Sequence, residues 1–151
     1  MKQVLFCVFI VLLISVSCKT QKVSTVQSGI EGTVTEETGN QMPMVGGSAG
    51  APKAFKTTVY IYDSTNISKV KQVGTSPVFL SVNTRLVQKL DTNEAGQFSA
   101  VLEAGTYSVF VRKGGAFFAN QFDEKNNIGI CRVEVGKQTR IQISVNNDAT
   151  Y

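Results

Sequence analysis

Histidine and tryptophan are both missing from this chain. The first absence removes the commonest general base and the commonest metal ligand. Ser-His-Asp and Cys-His catalysis are thereby excluded, as are zinc and non-haem iron sites ligated by histidine. Cysteine is scarce, limited to Cys7, Cys18 and Cys131, and no Cys-x-x-Cys pair occurs. Sustained helical periodicity is lacking too. Charge of one sign is never concentrated. The net charge is +4 and the pI about 9.0, but Lys53, Lys56, Lys69, Lys71, Arg85, Lys89, Arg112 and Lys113 are spread out, with acidic residues between them. That is a solvated mixed surface with no basic cluster for a nucleic acid. No cofactor is expected. The apolar fraction of 42% is ordinary for a folding chain.

The amino terminus carries one positive charge, Lys2, and an uncharged apolar run over residues 4–14. The run is too short to span a bilayer and reads as a secretory leader. It ends in Ile14-Ser15-Val16-Ser17-Cys18, followed by the polar Lys19-Thr20-Gln21-Lys22. A cysteine at the cleavage point resembles the lipobox of bacterial lipoproteins. That resemblance implies removal of residues 1–17 and acylation of Cys18, with palmitate among the acyl chains. Ser15 stands where lipoboxes usually carry leucine, a departure that Bacteroidetes-type patterns tolerate. Ser15 and Ser17 also suit an ordinary signal peptidase, so plain secretion is the alternative. Residues 18–27 read as a polar tether. About 130 residues remain, enough for one domain with a core. Cys7 leaves with the leader, and Cys131 is a lone thiol in an apolar strand, behaving as a small hydrophobe.

Beyond the tether nearly every segment alternates with period two. Ile30, Gly32 and Val34 face away from Glu31, Thr33 and Thr35. Thr57-Thr58-Val59-Tyr60-Ile61-Tyr62 is β-branched and aromatic throughout, and residues 78–82 and 85–90 are further strands. Phe98, Ala100 and Leu102 form one face of the next, and Tyr107, Val109 and Val111 one face of another, opposite Ser108, Phe110 and Arg112. Cys131, Val133 and Val135, then Ile141, Ile143 and Val145, complete the series. Such alternation predicts antiparallel sheets with one buried and one wet face. Turns are expected at Asn93-Glu94-Ala95-Gly96 and Glu103-Ala104-Gly105, with Gly136-Lys137 closing a hairpin between the last two strands. Residues 41–53 and 116–127 read as long loops. Seven or eight short strands predict an all-β sandwich.

Four segments, in order, resemble the carboxypeptidase regulatory-like domain, a prealbumin-like sandwich. They are Gly29-Ile30-Glu31-Gly32-Thr33-Val34, Thr58-Val59-Tyr60-Ile61-Tyr62, Asp91-Thr92-Asn93-Glu94-Ala95-Gly96-Gln97-Phe98 and Leu102-Glu103-Ala104-Gly105-Thr106-Tyr107-Ser108-Val109. The likeness covers residues 29–145 and departs at residues 70–90, which add material. It implies a seven- or eight-stranded antiparallel prealbumin-like sandwich over residues 28–151, used as a spacer, stabiliser or binding platform without an active site. Gly96 and Gly105 are expected to make tight turns or adopt positive φ. Phe98 and Tyr107 should face the core from paired neighbouring strands, with the tyrosine hydroxyl reaching an edge backbone group.

Several constellations resolve into structural roles. Asp91, Asn93 and Glu94 before Gly96 faintly resemble a calcium loop but lack the later bidentate carboxylate. An isopeptide bond like that of some surface-protein sandwiches would need a carboxylate at Val111, and Asn146 and Asn147 read as a strand terminus. Asp63-Ser64-Thr65 resembles a short O-glycosylation motif and reads more simply as a strand-end turn. Glu36 and Glu37 are adjacent on a strand end and point apart.

The cluster suited to binding is Phe117, Phe118, Asn120 and Phe122, where rings and an amide could meet a sugar or a peptide. The competing reading makes the rings plugs of the sandwich's open end. The expected function is therefore a non-enzymatic envelope lipoprotein, held to the membrane, at the outer membrane, through acyl chains on Cys18 and acting beside other envelope proteins or glycans. A periplasmic or secreted protein is the alternative for location. The alternative for function is a histidine-free enzyme or a glycan-binding surface protein.

Overall fold

The computed structural model of the chain describes residues 27–40 and 51–150. The leader, Cys18, nearly all of the tether and most of the loop at 41–53 lie outside the described residues.

Alternating side chains draw the backbone into extended ladders because each strand can bury one face. Eleven strands form among the described residues: β1 (Gly29–Asn40), β2 (Lys53–Ala54), β3 (Thr58–Asp63), β4 (Val70–Gln72), β5 (Val78–Val82), β6 (Leu86–Asp91), β7 (Gln97–Val101), β8 (Gly105–Lys113), β9 (Ala116–Phe118), β10 (Ile130–Val133) and β11 (Gln138–Thr150). A single 3-10 turn spans Ile67–Lys69. The all-β sandwich is as expected. The surplus over seven or eight strands comes from β2, β4 and β9, pieces of two or three residues too short to show alternation.

Two sheets face each other. In the larger, antiparallel sheet the order is β4-β5-β9-β8-β3-β6, with β10 pairing with the first half of β8. In the smaller, β1 is central: β11 runs parallel to it on one side, and β7 and β2 pair antiparallel with it. The parallel pair corrects a purely antiparallel expectation. A parallel neighbour needs a long connection. Here nearly the whole domain is that connection, since β1 and β11 are its first and last strands.

Several expected hairpins are instead crossings between sheets. The turn at Asn93–Gly96 is closed by the Asn93 N–H donating to the Gln97 carbonyl at 2.9 Å, but β6 and β7 then part into different sheets. Gly136 and Lys137 likewise link β10 of the larger sheet to β11 of the smaller, so they close no hairpin. Val135 falls in that turn and is 81% exposed. Phe98 and Tyr107 both face the core, but from opposite sheets rather than from paired strands. β11 runs on through Asn146 and Asn147.

Two glycines act differently from one another. Gly96 has φ +72°, and a Cβ there would lie 2.2 Å from the Val34 carbonyl oxygen, so only glycine fits the turn. Gly105 has no positive φ; its bare backbone lies against the Tyr107 ring. The Tyr107 hydroxyl donates to the Glu103 carbonyl at 2.9 Å, tying down the crossing from β7 to β8 as in the tyrosine corner of other sandwiches.

The main core lies between the sheets. Ile30, Val34, Phe98, Ala100 and Val145 from the smaller meet Val59, Ile61, Tyr107, Val109, Val111, Phe118, Cys131 and Val133 from the larger. Each large side chain buried this way is worth about 1.5–3 kcal/mol. A second cluster sits on the outer face of the larger sheet, formed by Tyr62, Phe79, Phe110, Ala119 and Ile128. Its existence corrects the one-faced reading of β8: Ser108 and Phe110, expected on a wet face, are fully buried. The added material explains this. Residues 64–69 leave β3 and cross the outside of β8, β4 and β5 then extend the sheet beyond β9 before the chain returns to β6, and Ile67, Val70 and Val82 pack over the rings. At the crossing the Thr65 N–H donates to the buried Ser108 hydroxyl at 2.9 Å.

Candidate functional site

Phe117, Phe118, Asn120 and Phe122 do not converge. Phe117 and Phe118 belong to β9, which pairs with β5 and β8, so the expected long loop at 116–127 starts as a strand. Consecutive strand residues point to opposite faces. Phe118 turns into the main core and is fully buried, which leaves it no surface for a ligand. Phe117 turns outward and is partly buried. Asn120 donates through Nδ2 to the Ser144 carbonyl at 3.1 Å and to Asn146 Oδ1 at 3.3 Å, tying its loop to β11. Phe122 lies farther along, 45% exposed, at an isolated bridge to Ile128.

Phe117 instead joins a different set of residues. Its ring meets Tyr60 edge-on at 5.0 Å between centroids, with Tyr62 at 6.2 Å and Phe110 at 6.4 Å. The Arg112 guanidinium lies 5.3 Å from the Phe117 centroid, and the Lys89 ammonium 5.5 Å from that of Tyr60. The pairing explains the arrangement. Lys89 is opposite Tyr60, Tyr60 opposite Phe110, and Arg112 opposite Phe117. The result is a chain of contacts from Lys89 to Tyr60, Phe117 and Arg112, with Arg112 on β8 between the strands that carry the two rings. Cation–π contacts of this kind are worth about 0.5–1 kcal/mol at exposed positions. Sequence reasoning missed Tyr60, Lys89 and Arg112. A faint signal was present: Tyr60 and Tyr62 share the face of β3 opposite Val59 and Ile61, where a wet face should have been polar.

Groups that could carry chemistry are engaged elsewhere. Glu36 pairs with Lys113, while Glu37 accepts from the Ser144 hydroxyl at 2.7 Å; the two carboxylates do diverge. Arg85 grips Asp63 through two hydrogen bonds of 2.8 Å. Asn93 Oδ1 accepts from the Ala95 and Gln97 N–H groups, the work of a turn residue. Thr65 is buried, with its hydroxyl 2.6 Å from that of Thr84, whereas Ser64 is exposed. Burial pushes the Cys131 thiol up to about 11, so the thiolate that reacts is scarce at neutral pH.

Two concavities mark the described residues. A shallow groove of about 900 Å³ lies over the smaller sheet, lined by Thr33, Gln97, Ser99 and Gln142 and by the ion pair of Glu31 and Arg140. A space of about 30 Å³ between the sheets is bordered by Val109, Cys131, Ile141 and Ile143. No three metal-ligating side chains come together among the described residues, and no helix among them is long and apolar enough to cross a membrane. Compared with protein-family models, curated proteins and solved structures, the chain finds no match in any of the three.

Proposed function

We propose that this chain is a lipid-anchored, non-enzymatic component of the bacterial cell envelope, presenting one β-sandwich on a short tether as an accessory or binding module. The observation that carries the reading is Ser15-Val16-Ser17-Cys18 behind the uncharged run at residues 4–14. The described residues are compatible with it. The ten residues between Cys18 and Gly29 reach at most about 35 Å, so an acylated Cys18 would keep the sandwich beside the bilayer. The non-enzymatic part draws support from the carboxylates, hydroxyls and thiol described above, whose visible roles are cross-strand pairing, turn closure and packing. The family likeness belongs to the same proposal. It draws support from the Gly96 turn and the Tyr107 corner, while the parallel pairing of β1 with β11 and the outer layer at residues 64–85 go beyond it.

The test is metabolic labelling with a fatty-acid analogue, followed by fractionation. Wild type should be labelled and sediment with membranes. Cys18→Ser should be unlabelled, and either retain its leader or appear in the soluble fraction. Mature wild-type protein that is soluble and unlabelled, with a free Cys18 thiol, would overturn the proposal.

A further inference from the structure

The crossing segment leaves part of the larger sheet's outer face uncovered. Where residues 64–85 lie, Phe79, Phe110 and Ile128 are fully buried. Beyond them, Tyr60 and Phe117 keep part of their surface exposed, with Lys89 over the first ring and Arg112 over the second. Leu86, paired with Tyr62, adds an apolar side chain that is 45% exposed. Lys89 and Arg112 have no carboxylate within ion-pair distance among the described residues; nearby Asp91 accepts instead from the Thr58 hydroxyl at 2.6 Å. The hydroxyls of Tyr60 and Tyr62 likewise have no hydrogen-bond partner among those residues. The patch thus joins half-wet rings, a leucine and two cations with no ion-pair partner among the described residues on the outer face of the larger sheet.

We propose that this face rests on an anionic lipid surface. The inference builds on the anchoring of Cys18 proposed above. Three features of the face and its tether single out a bilayer. First, amphipathic rings and long cationic side chains are the groups that settle at a membrane interface, rings at headgroup depth and cations toward phosphate. Second, the cations match the negative surface potential of anionic leaflets, where each is worth about a five-fold change in binding. A second copy of the chain docked face to face would set like charges together. Third, the tether turns a weak face into an occupied one. With Cys18 in the bilayer, and about 35 Å of chain at most before β1, encounter with the lipid is intramolecular, at an effective concentration in the millimolar range.

The experiment supplies the anchor chemically, so it does not depend on acylation in the cell. The chain from residue 18 onward is coupled through Cys18 to a maleimide-bearing lipid. Cys131, buried with its thiol held near 11, stays unmodified. Hydroxyl-radical footprinting then compares vesicles of phosphatidylcholine with vesicles of equimolar phosphatidylglycerol and phosphatidylcholine. Oxidation of Tyr60, Phe117 and Leu86 should fall several-fold on the anionic vesicles, and high salt should restore it. Val101, exposed on β7 of the smaller sheet, should be oxidised equally on both. Lys89→Gln and Arg112→Gln, surface changes that leave the core intact, should each weaken the protection about five-fold. Protection that is absent, equal on both vesicles or unchanged in both variants overturns the proposal. So does protection by soluble polygalacturonate or polyglutamate with none by vesicles, because the face would then be a polyanion site. Failure of the labelling experiment on Cys18, by contrast, would leave these footprints unaltered.

Discussion

Lys113, at the end of β8 in the larger sheet, forms an ion pair with Glu36 of β1 in the smaller one, and its ammonium also lies 2.9 Å from Asp148 of β11. One side chain therefore staples the two sheets at this end of the sandwich. Its stem is largely covered, at 16% exposure, and the ammonium lies 5.4 Å from the centre of the Phe55 ring. The expectation that Lys113 belongs to a solvated mixed surface is corrected by this arrangement.

Lys113→Ala should cost about 1–2 kcal/mol, between the value of an exposed ion pair and that of a buried one. The pH dependence has a definite sign. Burial acts to lower the Lys113 pKa, but hydrogen bonds to Glu36 and Asp148, together with their charges, raise it above the ordinary 10.5. A raised value in the folded state means that the contribution is fully present below the unfolded lysine pKa and is lost as pH rises through the folded one. Wild type and Lys113→Ala should differ in urea midpoint at neutral pH and converge in strong alkali. Equal midpoints at neutral pH would show that the staple adds nothing.

Phe117 and Phe118 should separate cleanly when replaced singly. Phe118→Ala empties part of the main core and should cost about 3–5 kcal/mol. In a domain of this size that lowers the melting temperature by roughly 10–20 °C. Phe117→Ala removes a partly exposed ring and should cost about 1–2 kcal/mol. Thermal melts of the two variants decide it; the reverse order would mean that β9 is displaced by one residue, since such a slip exchanges the two faces.

Tyr107→Phe keeps the ring and deletes only the hydroxyl that donates to the Glu103 carbonyl. The expected loss is about 1 kcal/mol, the usual net worth of such a bond. Tyr107→Ala and Phe98→Ala should each lose about 3–5 kcal/mol, because a buried aromatic disappears. Denaturant curves for the three variants give the comparison. A Tyr107→Phe variant as unstable as Tyr107→Ala would place the stabilisation in the corner bond rather than in packing.

Cys131 provides a probe of opening. Buried, with its thiol held near 11, it should react with a disulfide reagent at neutral pH only when the sandwich opens, and promptly in denaturant. Cys131→Ala should cost less than Cys131→Ser, since serine would place a hydroxyl in an apolar site at about 1–3 kcal/mol. Fast reaction in native buffer would show that β10 detaches from β8 without global unfolding.

The local features that proved readable all rest on short-range rules. The faces of β1 and β7 followed from alternation at Ile30 and Val34, and at Phe98 and Ala100. Gly96 was legible because a turn closed by Asn93 demands positive φ. Cys131 was legible as an apolar residue in an apolar strand. The candidate site was far less so. Phe117 was singled out, but in the wrong company, because its partners Tyr60, Lys89 and Arg112 lie on three other strands and no spacing along the chain announces them.

Alternation by itself determined that this chain is an all-β sandwich, and which side of most strands is apolar, because a period of two is a property of each strand alone. Only the tertiary structure decided which strands are neighbours. It placed β1 parallel to β11, sent β6 and β7 to different sheets across a four-residue turn, and carried residues 64–69 over the outside of β8. These outcomes depend on backbone groups, which every residue supplies alike, and on which apolar faces remain uncovered once the others have paired. The burial of Ser108 and Phe110, and the partial exposure of Tyr60 and Phe117 beside Lys89 and Arg112, exist because that crossing segment covers one part of the sheet and stops short of another.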